Sequence, residues 1–222
     1  MTFIVVASVP AAQRRLVGIA ARAIGAEVEH TEETELREAV RRSAPSLVIA
    51  STPPAELGVP VIVLVRGGAK EKIGALAAGA ADVIGVPFDV AELAVRIAAV
   101  IGRSTGTMPV LDGALRFGSI DYDVGEGAIR RDGSELHLSP IEQRILLVLA
   151  AHDGEVTDRG RILEAVWGPD MQPNSNLIDR HIRDLRRKLA DEWRRPSYIV
   201  TVRGQGYAFR KDPEVDTNAR LD

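Results

Sequence analysis

The sequence predicts two domains of different class. An α/β doubly wound parallel sheet occupies residues 1–103 and an α+β domain occupies 114–211, with a linker at 104–113 and a disordered tail at 212–222. Three observations carry this. Apolar runs such as FIVV, LVIA and VIVLV in the first half do not alternate with polar residues, as expected of parallel strands covered on both faces. These runs alternate with Ala-rich helical stretches, the βα pattern of a doubly wound sheet. After the small-residue stretch STGTMPVLDG the pattern changes to short β segments, Gly turns and amphipathic helices.

Residues 3–6, 26–29, 47–50, 61–65 and 82–84 read as strands, and 11–24, 33–42, 70–78 and 90–101 as helices, giving a flavodoxin-like order. The third helix is reduced. Only TPPAELGVP separates Ser51 from Val61, whereas a parallel crossover takes a dozen or more residues and usually a helix. The two prolines leave room for at most about one turn around residues 55–57. In the second domain, 115–122 and 128–131 read as antiparallel strands turning at 125–127, and Asp132-Gly133 turns into a third at 135–138. Ser139-Pro140 starts a helix, with Ser as N-cap, Pro at the first helical position and Glu142 in the first turn. A second helix covers 159–167 and a long third one 176–192. Residues 198–202 and 207–210 form a hairpin around Arg203-Gly204-Gln205-Gly206, and Trp167 and Trp193 are expected to pack at helix ends.

With 222 residues, 45% hydrophobic and 27% charged, the chain is able to build two proper cores. It has no cysteine, which excludes disulfides, thiolate metal sites and a Cys nucleophile, and suits a reducing cytoplasm. The N-terminal apolar run is too short for a signal peptide and lacks a basic start, and no stretch is long enough to span a bilayer. A soluble cytoplasmic protein without membrane association is expected. No Walker-type loop, H-E-x-x-H or G-x-S-x-G occurs, and His30, His137, His152 and His181 are scattered, so neither an enzyme nor a bound cofactor is expected.

The net charge of −3 hides an uneven distribution. Between Asn176 and Lys211 stand ten basic and four acidic side chains, an excess of six, so the remainder carries about −9. Within this segment Ile178, Ile182, Leu185 and Leu189 make one apolar helical stripe. Arg180, Arg183 and Arg187 lie on the other side, with Asn176 one turn earlier. Taken alone this is equally a solvated basic face or a face for the phosphates and guanine edges of double-stranded DNA. The hairpin, with Thr201 and Arg203 near its tip, favours DNA.

The segments LSPIEQRILLVLAAHDGEVTDRGRILEAVWG, NLIDRHIRDLRRKLAD and YIVTVRGQGYAF resemble the winged helix-turn-helix output domain of the OmpR/PhoB family of bacterial response regulators. The resemblance covers nearly all of residues 115–210. It implies a transcription regulator whose long helix enters the major groove while the hairpin, the wing, reaches the adjacent minor groove. Arg180, Arg183 and Arg186 match recognition-helix contact positions, and Thr201 and Arg203 match wing positions. His181 lies in the same motif as a backbone-phosphate or packing residue. Asp184 departs from the pattern, which commonly has Arg there. An acid facing phosphate weakens binding unless it accepts from a base or pairs with Arg180 or Arg187. The loop Gly168, Pro169, Asp170, Met171, Gln172 and onward to Ser175 matches the family's segment that meets RNA polymerase, and equally reads as an ordinary helix connection.

The first half, especially GAADVIGVPFDVAELAVRIAAVIGR, resembles the receiver domain of the same family. A working receiver holds Mg²⁺ with clustered carboxylates and phosphorylates one of them. Here the first-strand acid positions match Ala7 and Ser8, the phosphoacceptor Ser51, the switch hydroxyl Val65 and the phosphate-neutralising Lys Val86. The resemblance therefore implies a degenerate receiver, closed to Mg²⁺ and to aspartyl phosphorylation. In the family, salt bridges across the face of the fourth helix, fifth strand and fifth helix join two receivers. Lys72 with Glu92 and Asp82 with Arg96 match two such pairs, while a third acid position matches Ala78. A regulator dimerised by its receivers is the leading expectation. A second is a ligand or partner sensor, in which Ala7, Ser8, Ser51, Val65 and Val86 line an emptied site that takes a small apolar metabolite.

Overall fold

The structure, a computed structural model, describes residues 2–53, 56–111, 114–152, 154–168, 170–171 and 176–210. The expected tail, and parts of the linker and of the 168–175 loop, lie outside the described residues. The chain divides into two compact units, one of 1–113 with 124–126 and one of 114–123 with 127–222.

The first unit runs β1 (Thr2–Ala7), α1 (Ala11–Arg22), β2 (Ala26–Thr31), a 3₁₀ turn (Glu33–Glu35), α2 (Leu36–Ser43), β3 (Leu47–Ala50), β4 (Val61–Val65), α3 (Ala69–Ala77), β5 (Asp82–Gly85) and α4 (Val90–Thr105). The sheet is parallel throughout in the order β2-β1-β3-β4-β5. Every residue of β3 and β4 is buried, which is why those runs carry no polar alternation. One sheet face packs Val5, Val48 and Val63 against Leu36, Ala39 and Val40 of α2 and Ala75 of α3. Between β3 and β4 no helix forms among the described residues. Leu57 and Val59 of that connection pack on the face a third helix would cover. Ala55, within the expected single turn, lies outside the described residues.

Helix α4 begins at the N-cap Asp89, whose carboxylate accepts from the backbone N–H of Ala91 at 2.8 Å and Glu92 at 3.2 Å. It runs to Thr105, two residues into the expected linker, because the Ser104 and Thr105 hydroxyls bond back to the Ile101 carbonyl. Met108 folds over Gly102, where a Cβ would stand 2.5 Å from its Cγ.

The second unit opens with an antiparallel meander of β6 (Ala114–Phe117), β7 (Ile120–Asp123), β8 (Ala128–Arg131) and β9 (Ser134–Glu135). Then follow α5 (Pro140–Ala151), β10 (Thr157–Asp158), α6 (Arg159–Trp167), α7 (Leu177–Lys188), β11 (Ile199–Val202) and β12 (Gly206–Phe209). Ser139 and Glu142 close a capping box on α5. The hairpin β11–β12 takes β10 as a third strand, in the order β10-β12-β11. A Cβ on Gly206 would lie 2.1 Å from the Thr157 carbonyl oxygen, so only glycine lets β10 approach. This is the α+β winged helix-turn-helix arrangement expected from the sequence. Among the described residues, no helix is long and apolar enough to cross a membrane.

The third helix is shorter than expected. It ends at Lys188 and not at residue 192, because Ala190 turns left-handed at φ 48° and Asp191 folds inward.

Candidate nucleic-acid interface

Helix α7 buries Ile178, Ile182 and Leu185, with Leu189 beyond its end, and exposes Asn176, Arg180, Arg183 and Arg187 on the opposite side. Its remaining polar side chains fix the helix in place. Near its start, Asp179 accepts from Arg159 Nε at 3.1 Å and from the Tyr207 hydroxyl. Arg159 also donates to that hydroxyl at 3.2 Å and lies over the Tyr207 ring at 4.9 Å. Burial, then the hydrogen bond to Asp179 and its negative charge, push the Tyr207 phenol up to about 12, against the opposing pull of Arg159. The first turn of α7 is thereby tied to α6 and to the hairpin.

Arg186 turns away from the exposed row. Its guanidinium donates to the Ile199 carbonyl at 2.6 Å and to Thr201 Oγ1 at 2.8 Å, with Asp191 at 4.0 Å, and only 13% of the side chain is exposed. The expectation that it faces DNA with Arg180 and Arg183 is not matched by this placement. Its position on the helix flanks the buried stripe, where the hairpin's carbonyl and hydroxyl are in reach. Asp191 accepts from the backbone N–H groups of Ser197, Tyr198 and Ile199 at 2.5, 3.2 and 2.9 Å. Lys188 reaches Glu142 at 2.7 Å. Burial acts to raise that carboxyl, but the hydrogen bonds from Lys188 and Ser139 outweigh it and hold the group below its ordinary value.

His181 is half-buried, its ring 5.6 Å from that of Trp167. Asp184 pairs with Arg187 at 3.6 Å, one of the two partners expected for it. Arg203 is exposed at the hairpin tip, where Gly204 adopts φ 74° and Gln205 N–H donates to the Val202 carbonyl. Thr201 is exposed beside it. In the 168–175 loop, Gly168 is buried at the end of α6 while Asp170 and Met171 are exposed. Pro169 and Gln172 lie outside the described residues. Trp167 packs on His181 as a helix-end residue should, but Trp193 does not pack: it is 69% exposed. Arg159, Tyr207 and Asp191 were not singled out by sequence reasoning. The signal for them is weak, because Arg159 and Tyr207 act through partners 20 or more residues away and Asp191 through backbone N–H groups beyond a turn.

In the first unit, Ser8, Ser51, Val65 and Val86 border one open cavity of about 490 Å³. Ala7 does not reach it and is fully buried in the core. The cavity is also not wholly apolar, since Arg66 and Glu71 line it. Glu33, from the 3₁₀ turn, accepts from Ser8 at 3.3 Å and Thr52 at 2.9 Å. These residues do not fit Mg²⁺. A hard dication needs several converging oxygen ligands, whereas the first-strand positions are Ala7 and Ser8, the acceptor position is Ser51, the Glu33 carboxylate is held by two hydroxyls, and the Glu71 carboxylate in the cavity wall accepts from the Gly68 backbone N–H at 2.8 Å.

On the opposite edge, Arg96 bonds Glu92 at 2.8 Å and Asp82 at 3.1 Å within the chain. These partners, Glu92 first, raise its already high pKa. Within the chain Glu92 is thus bonded to Arg96, and the Lys72 ammonium lies against Gly85. Ile73 and Leu76 of α3 and Val95 of α4 are exposed on these two helices.

The family described as "Transcriptional regulatory protein, C terminal" matches residues 133–209. The transcriptional regulatory protein KdpE of Mycobacterium tuberculosis is 34% identical over 154 residues, 69% of this chain and 68% of that one. That length exceeds the whole C-terminal unit, so the relationship continues into the parallel sheet. The chain belongs to the OmpR/PhoB family of response regulators. The KDP operon regulator KdpE of Escherichia coli is 37% identical over 152 residues, 68% of this chain and 67% of its own. Among solved structures, the RstA DNA-binding domain of Klebsiella pneumoniae in complex with RstA box is 31% identical, covers 45% of this chain and 99% of that one, and has a TM-score of 0.42. As an OmpR/PhoB member, the chain is a DNA-binding transcription regulator with a winged helix-turn-helix domain, in which α7 and β11–β12 occupy the places expected from the sequence for recognition helix and wing.

Proposed function

We propose that this regulator binds double-stranded DNA sequence-specifically as a receiver-mediated homodimer, independently of aspartyl phosphorylation. The observation that carries the DNA contact is the exposed row Asn176, Arg180, Arg183 and Arg187 on α7 beside the exposed wing residues Thr201 and Arg203. Guanidiniums so placed suit guanine edges and phosphates in a major groove, with Arg203 in the adjacent minor groove. Asp184, paired with Arg187, lowers the positive charge of the row and tunes sequence preference. Arg186 and His181 act by positioning the helix.

Phosphorylation independence is supported by the acceptor position itself. Ser51 is a neutral hydroxyl, the nearby Glu33 carboxylate is held by Ser8 and Thr52, and that of Glu71 by the Gly68 N–H. Dimerisation is supported by the apolar Ile73, Leu76 and Val95 on the face that carries Lys72, Asp82, Glu92 and Arg96. Exposed apolar side chains interspersed with charges on α3 and α4 suit a two-fold interface. A dimer of this kind reads two half-sites about one helical turn apart. Exposed Asp170 and Met171 after Gly168 offer RNA polymerase a contact. Incubation with acetyl phosphate and Mg²⁺, followed by intact mass and a hydroxylamine-sensitive acyl-phosphate assay, should give no adduct and unchanged DNA affinity. A stoichiometric acyl phosphate refutes the reading.

The open cavity at Ser8, Ser51, Val65 and Val86 favours a second reading, in which a small molecule controls the regulator. With Arg66 and Glu71 in its wall, the ligand carries a polar group as well as an apolar part. A metabolite panel scored by thermal shift tests this, since a ligand of the native state raises the melting temperature.

A further inference from the structure

Between the recognition helix and the wing lies a loop that the proposed DNA contacts leave unused. Ala190 ends the helix, and the buried Asp191 carboxylate gathers three backbone N–H groups from 197–199. The Arg195 N–H then donates to the Glu192 carbonyl at 3.1 Å, closing a tight turn with Trp193 and Arg194 at its corner. This turn is anchored at both ends, yet the side chains at its tip contribute nothing to the core. The indole of Trp193 is 69% exposed and is accompanied by the Arg194 guanidinium at 5.2 Å from its ring. A rigidly held, exposed aromatic beside an Arg is the composition of an interface anchor.

Its neighbours say what it anchors on. Trp193 and Arg194 border the same cavity, of about 720 Å³, as Arg183 and Arg187 of α7 and Thr201 of the wing. The acids on that wall are mostly engaged. Asp179 is held by Arg159 and Tyr207, and Asp191 by backbone N–H groups. Glu192 is the exposed exception. The concave wall is therefore cationic where it is open, and continuous with the exposed arginine row.

We propose that the 192–195 turn is a third DNA contact, in which Arg194 meets a phosphate and the Trp193 indole packs on the adjoining deoxyribose of the strand that runs between recognition helix and wing. A duplex offers no free base face there, so the contact adds affinity and register without reading sequence. It rests on the DNA-binding reading above.

The test uses the full chain and a fragment it selects from genomic DNA. Acrylamide quenching of tryptophan emission should fall when DNA binds to the wild type. In Trp193→Phe, where only Trp167 emits, it should hardly change. Arg194→Ala should bind about 5–10-fold more weakly at moderate salt, with a slope of log K against log salt shallower by about one, the loss of one phosphate contact. Glu192→Gln should tighten binding. Both tip residues are exposed, and circular dichroism melts confirm that the variants fold. If DNA binds at wild-type affinity and slope to Arg194→Ala, or Trp193 stays as quenchable in the complex as in the free protein, the third contact is overturned while the recognition-helix reading stands. Protection of Trp193 by raised protein concentration without DNA assigns the turn to a second copy and also overturns it. If no genomic fragment is selected, the DNA-binding reading itself fails.

Discussion

Replacing Arg186 by methionine separates an arginine that holds the recognition helix from one that touches DNA. Methionine keeps much of the apolar stem and removes the guanidinium. The lost interactions are two hydrogen bonds from a cation, to the Ile199 carbonyl at 2.6 Å and to Thr201 at 2.8 Å. Hydrogen bonds involving a charged group are worth about 1.5–3 kcal/mol each, and the one to exposed Thr201 falls at the low end. Asp191 loses the guanidinium 4.0 Å away but keeps its three backbone donors, so its buried carboxylate stays hydrogen-bonded. The loss sums to about 3 kcal/mol. For a domain of roughly 100 residues, 1 kcal/mol moves Tm by about 4–8 °C, so the C-terminal unit should melt roughly 12–24 °C lower. The control is Arg183→Met, an exposed position where stability should change by less than about 0.5 kcal/mol. DNA titrations across salt complete the assay. Arg183→Met should lose about one unit of salt slope, and Arg186→Met should bind weakly with its slope intact. If Arg186→Met melts like the wild type and loses a unit of slope, Arg186 is a phosphate contact and the reasoning is wrong.

Other outcomes follow from the same geometry. Asp184→Ala should release Arg187 from its 3.6 Å partner, tighten binding to non-cognate DNA severalfold and steepen the salt slope; unchanged binding would place Asp184 away from phosphate. Tyr207 has a folded-state pKa of about 12 against an ordinary value of 10, so the neutral phenol is favoured in the folded chain. Its stabilisation is complete below pH 10 and is lost as pH rises towards 12. Absorbance titration at 295 nm should show a phenol ionising about two units late, absent in Tyr207→Phe; a titration identical in the two proteins would contradict the Asp179 network. Arg96→Glu reverses the charge that Asp82 and Glu92 surround, and light scattering should report a monomer; a dimer of unchanged mass would remove that face from the assembly.

Much of the fold was legible because the decisive patterns are local. Unbroken apolar runs mark β3 and β4, the Ser139–Glu142 spacing marks the start of α5, and the four-three-four spacing from Ile178 to Leu189 marks the buried side of α7. The nine residues between Ser51 and Val61 were enough to exclude a full third helix. What escaped was set by partners distant in sequence. Strand β10 is two residues long and exists only because β12 pairs with it. The end of α7 looked helical through 192, but Asp191 is drawn inward by backbone N–H groups six to eight residues later. Periodicity puts Arg186 on a flank of the helix, and only the hairpin, more than ten residues downstream, decides that it points inward. Glu33 reaches Ser8 from 25 residues away, so no local reading could bring that carboxylate to it.

DNA binding without phosphoryl control can be read in a single titration series. Genomic fragments selected by the full chain are titrated across a salt series, with and without prior treatment by acetyl phosphate and Mg²⁺. Affinity should fall steeply with salt, by several units in log–log slope from the exposed arginines of α7 and the wing, and the curves for treated and untreated protein should superimpose. A salt-insensitive affinity, or tighter binding after treatment, would contradict this reading.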